Sequence, residues 1–233
     1  TADEVAAVSS RAGFARALRF YEAGLRLEGN REWNFTLRGM DDRQLLATAF
    51  WACQRGVLDR CVNTAERTRE EHDFSLRFIT PFAEELKAAA AGRDLDPAWI
   101  YGLIRQESRF VMDARSTAGA QGLMQVMPAT GRWIAGQLGI KGFHPSQLGE
   151  LPTNLEFGTF YLRNVLDQLG GSPLLASAGY NAGPRRPLRW RTRLDAPVEG
   201  AVFAEIIPFS ETRDYVKKVL SNAVIYAELF TGE

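Results

Sequence analysis

Glu107 stands where a carboxylate is not expected. Ile100, Leu103 and Ile104 follow one another at helical spacing, the next position on that stripe is 107, and Phe110 continues it. The spacing predicts an acid on the inward face of a helix beginning near Pro97, close to that helix's C-terminal end. Burial disfavours the charged form, and the partial negative charge of a helix C-terminus acts the same way, so both raise the pKa. A carboxylic acid still protonated near neutral pH suits general acid chemistry. A Glu turned to solvent, or paired with Arg105 or Arg109, fits the same spacing equally well. Other residues further along have polar chemistry to offer. Gln125 follows a small-residue turn containing Gly119 and Gly122, and its amide carries both donors and an acceptor. Tyr180 and Asn181 stand where a small-residue helix breaks at Ala182-Gly183-Pro184, and a tyrosine pairs an apolar ring with a polar tip.

Several kinds of chemistry lack their parts. His72 and His144 are the only histidines among 233 residues, and neither stands near a serine or cysteine motif or at ligand spacing from the cysteines. No phosphate-binding glycine loop is present, so the residues call for no metal and no cofactor. The formal net charge is zero, which gives no field for nucleic acid or an anionic membrane surface. No apolar run approaches the roughly 18 to 20 residues of a membrane span. The chain opens on Thr1 without a starting Met or leader, which reads as a cut end. Cys53 and Cys61 flank Gly56; a disulfide across a hairpin and two buried thiols both fit that spacing.

The elements that must position these residues read as helices throughout. Val8, Phe14, Leu18, Tyr21 and Leu25 predict a helix over about 1–28, stopped by Gly29-Asn30, with a non-helical passage through Trp33 and Phe35. Asp41 is a cap for a helix over about 42–55, and Gly56 separates it from another over about 57–70. This pairing resembles the end of a helical repeat array. The composition changes around His72-Asp73, which divides the chain into residues 1–75 and 76–233. Thr80-Pro81 opens a helix ended by Gly92, and Asp96-Pro97 opens the helix that delivers Glu107. Further helices are expected from Pro128, over 154–169 up to Gly170-Gly171, over 173–181, and over 208–230. The arginines between 185 and 193 read as a solvated face. No stretch alternates with a period of two, so the fold class is all-α and any sheet is minor.

Gln106-Glu107-Ser108, Gly122-Leu123-Met124-Gln125, Gly179-Tyr180-Asn181-Ala182-Gly183-Pro184 and Glu211-Thr212-Arg213-Asp214-Tyr215-Val216, in this order and at these spacings, resemble the soluble lytic transglycosylases, relatives of goose-type lysozyme. The resemblance covers about residues 80–230. It implies a lysozyme-like helical catalytic domain preceded by the end of a helical superhelix. It further implies a periplasmic setting in a bacterial envelope, with outer-membrane association and other cell-wall enzymes left open. The implied substrate is the glycan strand of peptidoglycan. By this resemblance Glu107 is the catalytic acid and base. Ser108, Ser116, Gln125, Met127, Tyr180, Asn181, Glu205 and Tyr215 line the saccharide groove. Elementary chemistry gives some of these a second reading: Ser108 bonded to nearby backbone, Ser116 forming a turn, Met127 and Tyr215 in the core. Arg185-Arg186-Pro187 depart from the small residue usual after the Asn-Ala-Gly-Pro turn. Some of the arginines there are candidates to meet peptide-stem carboxylates.

Ordinary glycosidases use two carboxyl groups about 5 to 9.5 Å apart. No second acid near Glu107 is compelling, since Asp113 lies in a turn and Glu150 and Glu156 in a loop and a helix start. One acid suits the family's transglycosylation, in which the muramyl C6 hydroxyl closes onto C1. A hydrolytic muramidase on the same fold and a non-cleaving peptidoglycan scaffold are the alternatives.

Overall fold

The computed structural model describes residues 1–194, 196 and 198–232. The chain divides into two compact units, Thr1–Ile79 and Thr80–Glu233. Among the described residues there is no strand, only isolated bridges joining Arg115 to Gln121 and Gln121 to Val126. The fold is all-α.

The first unit contains α1 (Ala2–Ser9), α2 (Ala12–Glu22), α3 (Arg26–Thr36), α4 (Asp42–Gln54), α5 (Leu58–Ala65) and the short α6 (Phe74–Arg77). The single helix expected over 1–28 is therefore broken, at Ser10-Arg11 and at Gly24, whose φ is +73°. Gly29 does not stop a helix. It lies within α3, where a Cβ would sit 2.4 Å from the Tyr21 ring, so its missing side chain lets α2 and α3 approach. The passage through Trp33 is likewise helical. Trp33 is fully buried, packs on Phe14 and Trp51, and donates its indole N–H to Thr64 Oγ1 at 3.0 Å. Asp41 caps α4 by accepting from the Gln44 amide, and the Gln44 side chain accepts from the Asp41 N–H. α5 ends at Ala65, short of the expected 70, and the chain then hangs on Asp42, whose Oδ2 accepts from the N–H groups of Arg69, Glu70 and Glu71. Cys53 and Cys61 form a disulfide, with Cα atoms 5.1 Å apart.

The second unit contains α7 (Ala83–Ala91), α8 (Pro97–Glu107), α9 (Pro128–Gln137), a 3₁₀ turn (Pro145–Gly149), α10 (Leu151–Gln168), α11 (Pro173–Ala182), α12 (Arg185–Arg191), α13 (Gly200–Glu205) and α14 (Ser210–Thr231). Asp96 caps α8 through the Ala98 N–H, with Pro97 at its first position as expected. α10 begins three residues earlier than the reading from Asn154, because Pro152 is accommodated in its first turn. The arginines 185, 186, 189, 191 and 193 are exposed, as the solvated-face reading expects, and residues 185–191 are helical, with Pro187 and Trp190 of α12 buried on the other side.

α8 is the central helix, buried at every position from Ala98 to Arg105. α14 packs along it in the antiparallel sense. At their crossing, a Cβ on Gly102 would lie 2.6 Å from the Val219 carbonyl oxygen and 2.9 Å from the Ala223 nitrogen. The backbones thus meet directly. Asn222 closes the contact, accepting from Arg105 Nη1 at 3.2 Å.

Candidate active site

The approach of α8 and α14 places Glu107, the final residue of α8, against Tyr215 in the second turn of α14. The Tyr215 hydroxyl donates to Glu107 Oε1 at 2.6 Å, the short distance of a bond to a charged or strongly polarised acceptor. Tyr215 itself is 5% exposed. Burial raises the Glu107 pKa from 4.5 to about 7, and the Tyr215 hydrogen bond opposes that rise. The carboxyl is therefore about half protonated at neutral pH. The Glu107 side chain, intermediate in exposure, is thus turned to Tyr215 rather than out to solvent.

The chain leaves α8 under backbone strain. Arg109 and Phe110 both adopt positive φ, at +51° and +66°, a conformation costly for residues with a Cβ. The Phe110 side chain is nevertheless 2% exposed and packs against Tyr101. Burying this ring while Glu107 stays on the helix end forces the sharp turn. Ser108 caps α8, and its hydroxyl donates to the Ile104 carbonyl at 3.4 Å.

Residues 121–127 form a wall linked to this site through Tyr180, whose hydroxyl bonds the Met124 carbonyl and which lies within reach of the Glu107 charge. The wall's anchor is Asn154, fully buried on α10. The Asn154 carbonyl accepts from the Met124 N–H at 2.8 Å, and its amide donates to the Gln121 and Leu148 carbonyls at 3.0 and 2.7 Å. Only glycine fits beside it at 122: φ is +77°, and a Cβ would lie 2.1 Å from Asn154 Nδ2. Gln125 also has positive φ, at +50°. Its amide donates to the Gly122 and Ala114 carbonyls at 2.8 and 3.2 Å, which leaves the side-chain oxygen as the group available to a ligand. Met127 follows, 39% exposed at the start of α9.

Tyr180 ties this wall to α11. Its hydroxyl donates to the Met124 carbonyl at 2.8 Å, and its ring meets Tyr161 edge to face at 5.3 Å. Burial first, and the nearby Glu107 charge second, hold the Tyr180 pKa well above 10, so it stays neutral. Tyr215 is held up for the same two reasons. Asn181 accepts from the Thr212 hydroxyl at 2.7 Å, joining the end of α11 to the first turn of α14.

Glu107, Tyr215, Tyr180 and the Gln125 wall thus come together. Ser116 is exposed, and its hydroxyl accepts from the Ala120 N–H at 3.0 Å within its own turn. Glu205 is exposed at the end of α13 and paired with Lys217 Nζ at 3.1 Å. The sequence reading singled out neither Asn154 nor Tyr161, and named Thr212 only within the Glu211–Val216 stretch. A buried asparagine two residues after a proline in a helix's first turn is the available signal, and it is faint. Among the described residues no group of three or more His, Cys, Asp or Glu side chains gathers as a metal site, and no helix is long and apolar enough to cross a membrane.

Comparison with known proteins places the chain among lytic transglycosylases. Residues 84–197 match the transglycosylase SLT domain, and residues 206–233 match the soluble lytic transglycosylase helical domain. The soluble lytic murein transglycosylase of Escherichia coli K12 is 37% identical over 158 residues, which are 67% of this chain and 24% of that protein. The Salmonella typhimurium protein of the same name is 38% identical over the same shares. The chain thus spans about a quarter of the length of these relatives. Among solved structures, an inactive Glu-to-Gln mutant of the lytic transglycosylase Slt from Pseudomonas aeruginosa superposes with a TM-score of 0.88 at 35% identity, covering 99% of this chain and 38% of that one. The 70 kDa soluble lytic transglycosylase of Escherichia coli gives 0.85 at 30% identity, covering 97% and 37%.

Proposed function

Because the chain belongs to the soluble lytic transglycosylase family, we propose that it cleaves peptidoglycan between N-acetylmuramic acid and N-acetylglucosamine, with Glu107 as acid and then base. The observation that carries this reading is the Glu107 carboxyl at the end of α8, held by the Tyr215 hydroxyl and raised by burial to a pKa of about 7.

Protonated Glu107 gives its proton to the glycosidic oxygen as the bond from that oxygen to muramyl C1 breaks. The carboxylate left behind is stabilised by the Tyr215 hydroxyl, already within 2.6 Å. It then takes the proton of the muramyl C6 hydroxyl, whose oxygen bonds to C1. The products are a free N-acetylglucosamine hydroxyl and a 1,6-anhydromuramyl end, and Glu107 is again protonated. No water is consumed and no second carboxylate is required, in keeping with the influences on Glu107, which are burial and Tyr215 rather than another acid.

Tyr180, with its proton committed to the Met124 carbonyl, holds the wall from which Gln125 presents an acceptor to the sugar. Ser108, Ser116, Met127, Asn181 and Glu205 are proposed to border the same groove, Ser116 and Glu205 from exposed positions. The Cys53–Cys61 disulfide supports an oxidising compartment such as the bacterial envelope.

Mass analysis of released muropeptides tests the reaction. Anhydro ends, one water lighter than reducing ends, are expected and disappear in Glu107→Gln. Reducing ends would make the chain a hydrolytic muramidase, and full turnover by Glu107→Gln would remove Glu107 from the chemistry.

A further inference from the structure

A surface cleft of about 350 Å³ lies between α9 and α10, lined by Ala129, Thr130 and Trp133 of the first and Tyr161, Asn164 and Gln168 of the second. The lining positions recur three and four residues apart on each helix, so their side chains share one floor. We infer that this cleft binds one further N-acetylated pyranose of the glycan strand, with the Trp133 indole as its platform. The inference rests on the reading of the chain as a glycan-cleaving enzyme and names how far its binding groove extends.

Three observations converge on a neutral sugar. Trp133 is 42% exposed, yet it is braced, packing edge to face on Phe160 at 5.9 Å, with the Arg93 guanidinium 5.0 Å over the Phe160 ring. A rigid exposed indole suits the apolar C–H face of a pyranose. Beside it, Gln168 Nε2 donates to Asn164 Oδ1 at 2.5 Å. That bond fixes the amide pair so that the Asn164 amide donor and the Gln168 carbonyl acceptor have no protein partner among the described residues. An acetamido group offers the matching acceptor and donor. No charged residue lines the cleft, which disfavours a peptide-stem carboxylate or a phosphate.

The cleft also neighbours the residues of the candidate site. Tyr161 lines it and meets Tyr180 edge to face at 5.3 Å. On the other wall the exposed Met127 leads directly through Pro128 into Ala129 and Thr130. The inferred path of the strand runs from Gln125 and Met127 along the start of α9 to Trp133.

The test is steady-state turnover of peptidoglycan-derived oligosaccharides, tetrasaccharide to octasaccharide, by the wild-type chain, Trp133→Ala and Trp133→Phe. The alanine variant is expected to raise KM for the longest substrate about tenfold, the factor that corresponds to roughly 1.4 kcal/mol. Its kcat, and its KM for the shortest substrate, stay at the wild-type values, and phenylalanine restores most of the loss. An equal change at every length, or no change with the octasaccharide, overturns the inference. Calorimetric titration of Glu107→Gln with the hexamer of N-acetylglucosamine, with and without Trp133→Ala, separates the subsite from the chemistry. Weaker hexamer binding on loss of Trp133 supports the subsite even if the wild-type chain releases no product. Unchanged hexamer binding overturns it even if turnover is normal.

Discussion

Replacing Glu107 by glutamine should stabilise the protein in a manner that depends on pH. Glutamine has nearly the same shape, can still accept from the Tyr215 hydroxyl, and cannot ionise. In the wild type, the folded state holds the Glu107 proton up to about pH 7, whereas an unfolded chain releases it near 4.5. Between these values the folded state binds more protons, so raising the pH costs stability. The loss begins above the lower value and is complete above the higher one. At roughly 1.4 kcal/mol per tenfold change, the full cost of charging this buried group is on the order of 3 kcal/mol. Glu107→Gln escapes it. The difference in unfolding free energy between variant and wild type should therefore grow by about 3 kcal/mol from about pH 4 to pH 8, a widening of the melting-temperature gap by roughly 6 to 12 °C. Calorimetric melts of both proteins across that range make the measurement, read on the transition of the second unit. A gap that does not change with pH would mean that Glu107 ionises as a solvated carboxylate, and the argument from burial would fail. The same substitution should lower turnover at least about a hundredfold, as loss of a general acid does.

Other expectations follow from the same geometry. Tyr215→Phe removes the hydrogen bond that opposes the rise in the Glu107 pKa, so the alkaline limb of the pH–rate profile should move to higher pH. Turnover should fall by roughly 10- to 100-fold, the value of a bond to a charged group of about 1.5 to 3 kcal/mol. Gly102→Ala would push its Cβ into the Val219 carbonyl and separate α8 from α14, with about 1 to 3 kcal/mol of destabilisation by denaturant titration and a matching loss of activity. Reduction of Cys53–Cys61 closes no loop in the unfolded chain. It should cost the first unit about 2 kcal/mol while leaving the pH–rate profile in place, because Glu107 and its partners lie in the second unit.

Much of the candidate site was legible because it is written in local patterns. Asp96-Pro97 and the stripe Ile100, Leu103, Ile104 specify α8 and its buried face, and Glu107 falls on that stripe. Spacing could not say whether the acid turned inward, since that depends on α14. The approach of α14 is set by Gly102, which in the sequence is one more small residue in an apolar run. Glycine misled elsewhere for the same reason. Gly29 resembles a helix stop, yet it serves as a contact beneath the Tyr21 ring, and local propensity yields to packing there. Asn154 was invisible because its role is to satisfy carbonyls at Gln121 and Leu148, which no periodicity connects. The helix of the arginine stretch was hidden by its charges, while Pro187 and Trp190 supply its inward face.

The bond between Tyr215 and Glu107 spans 108 positions of sequence. A chain emerging during synthesis forms α8 long before it makes α14. Until α14 docks, the face of α8 around Gly102 is uncovered, Glu107 is hydrated, and its pKa stays near that of a free carboxyl. The acid is then spent at neutral pH, its proton already lost to water. On the proposed mechanism, competence is thus tied to the docking of α14 on α8, and a partly made or partly unfolded chain carries Glu107 without the burial that raises its pKa.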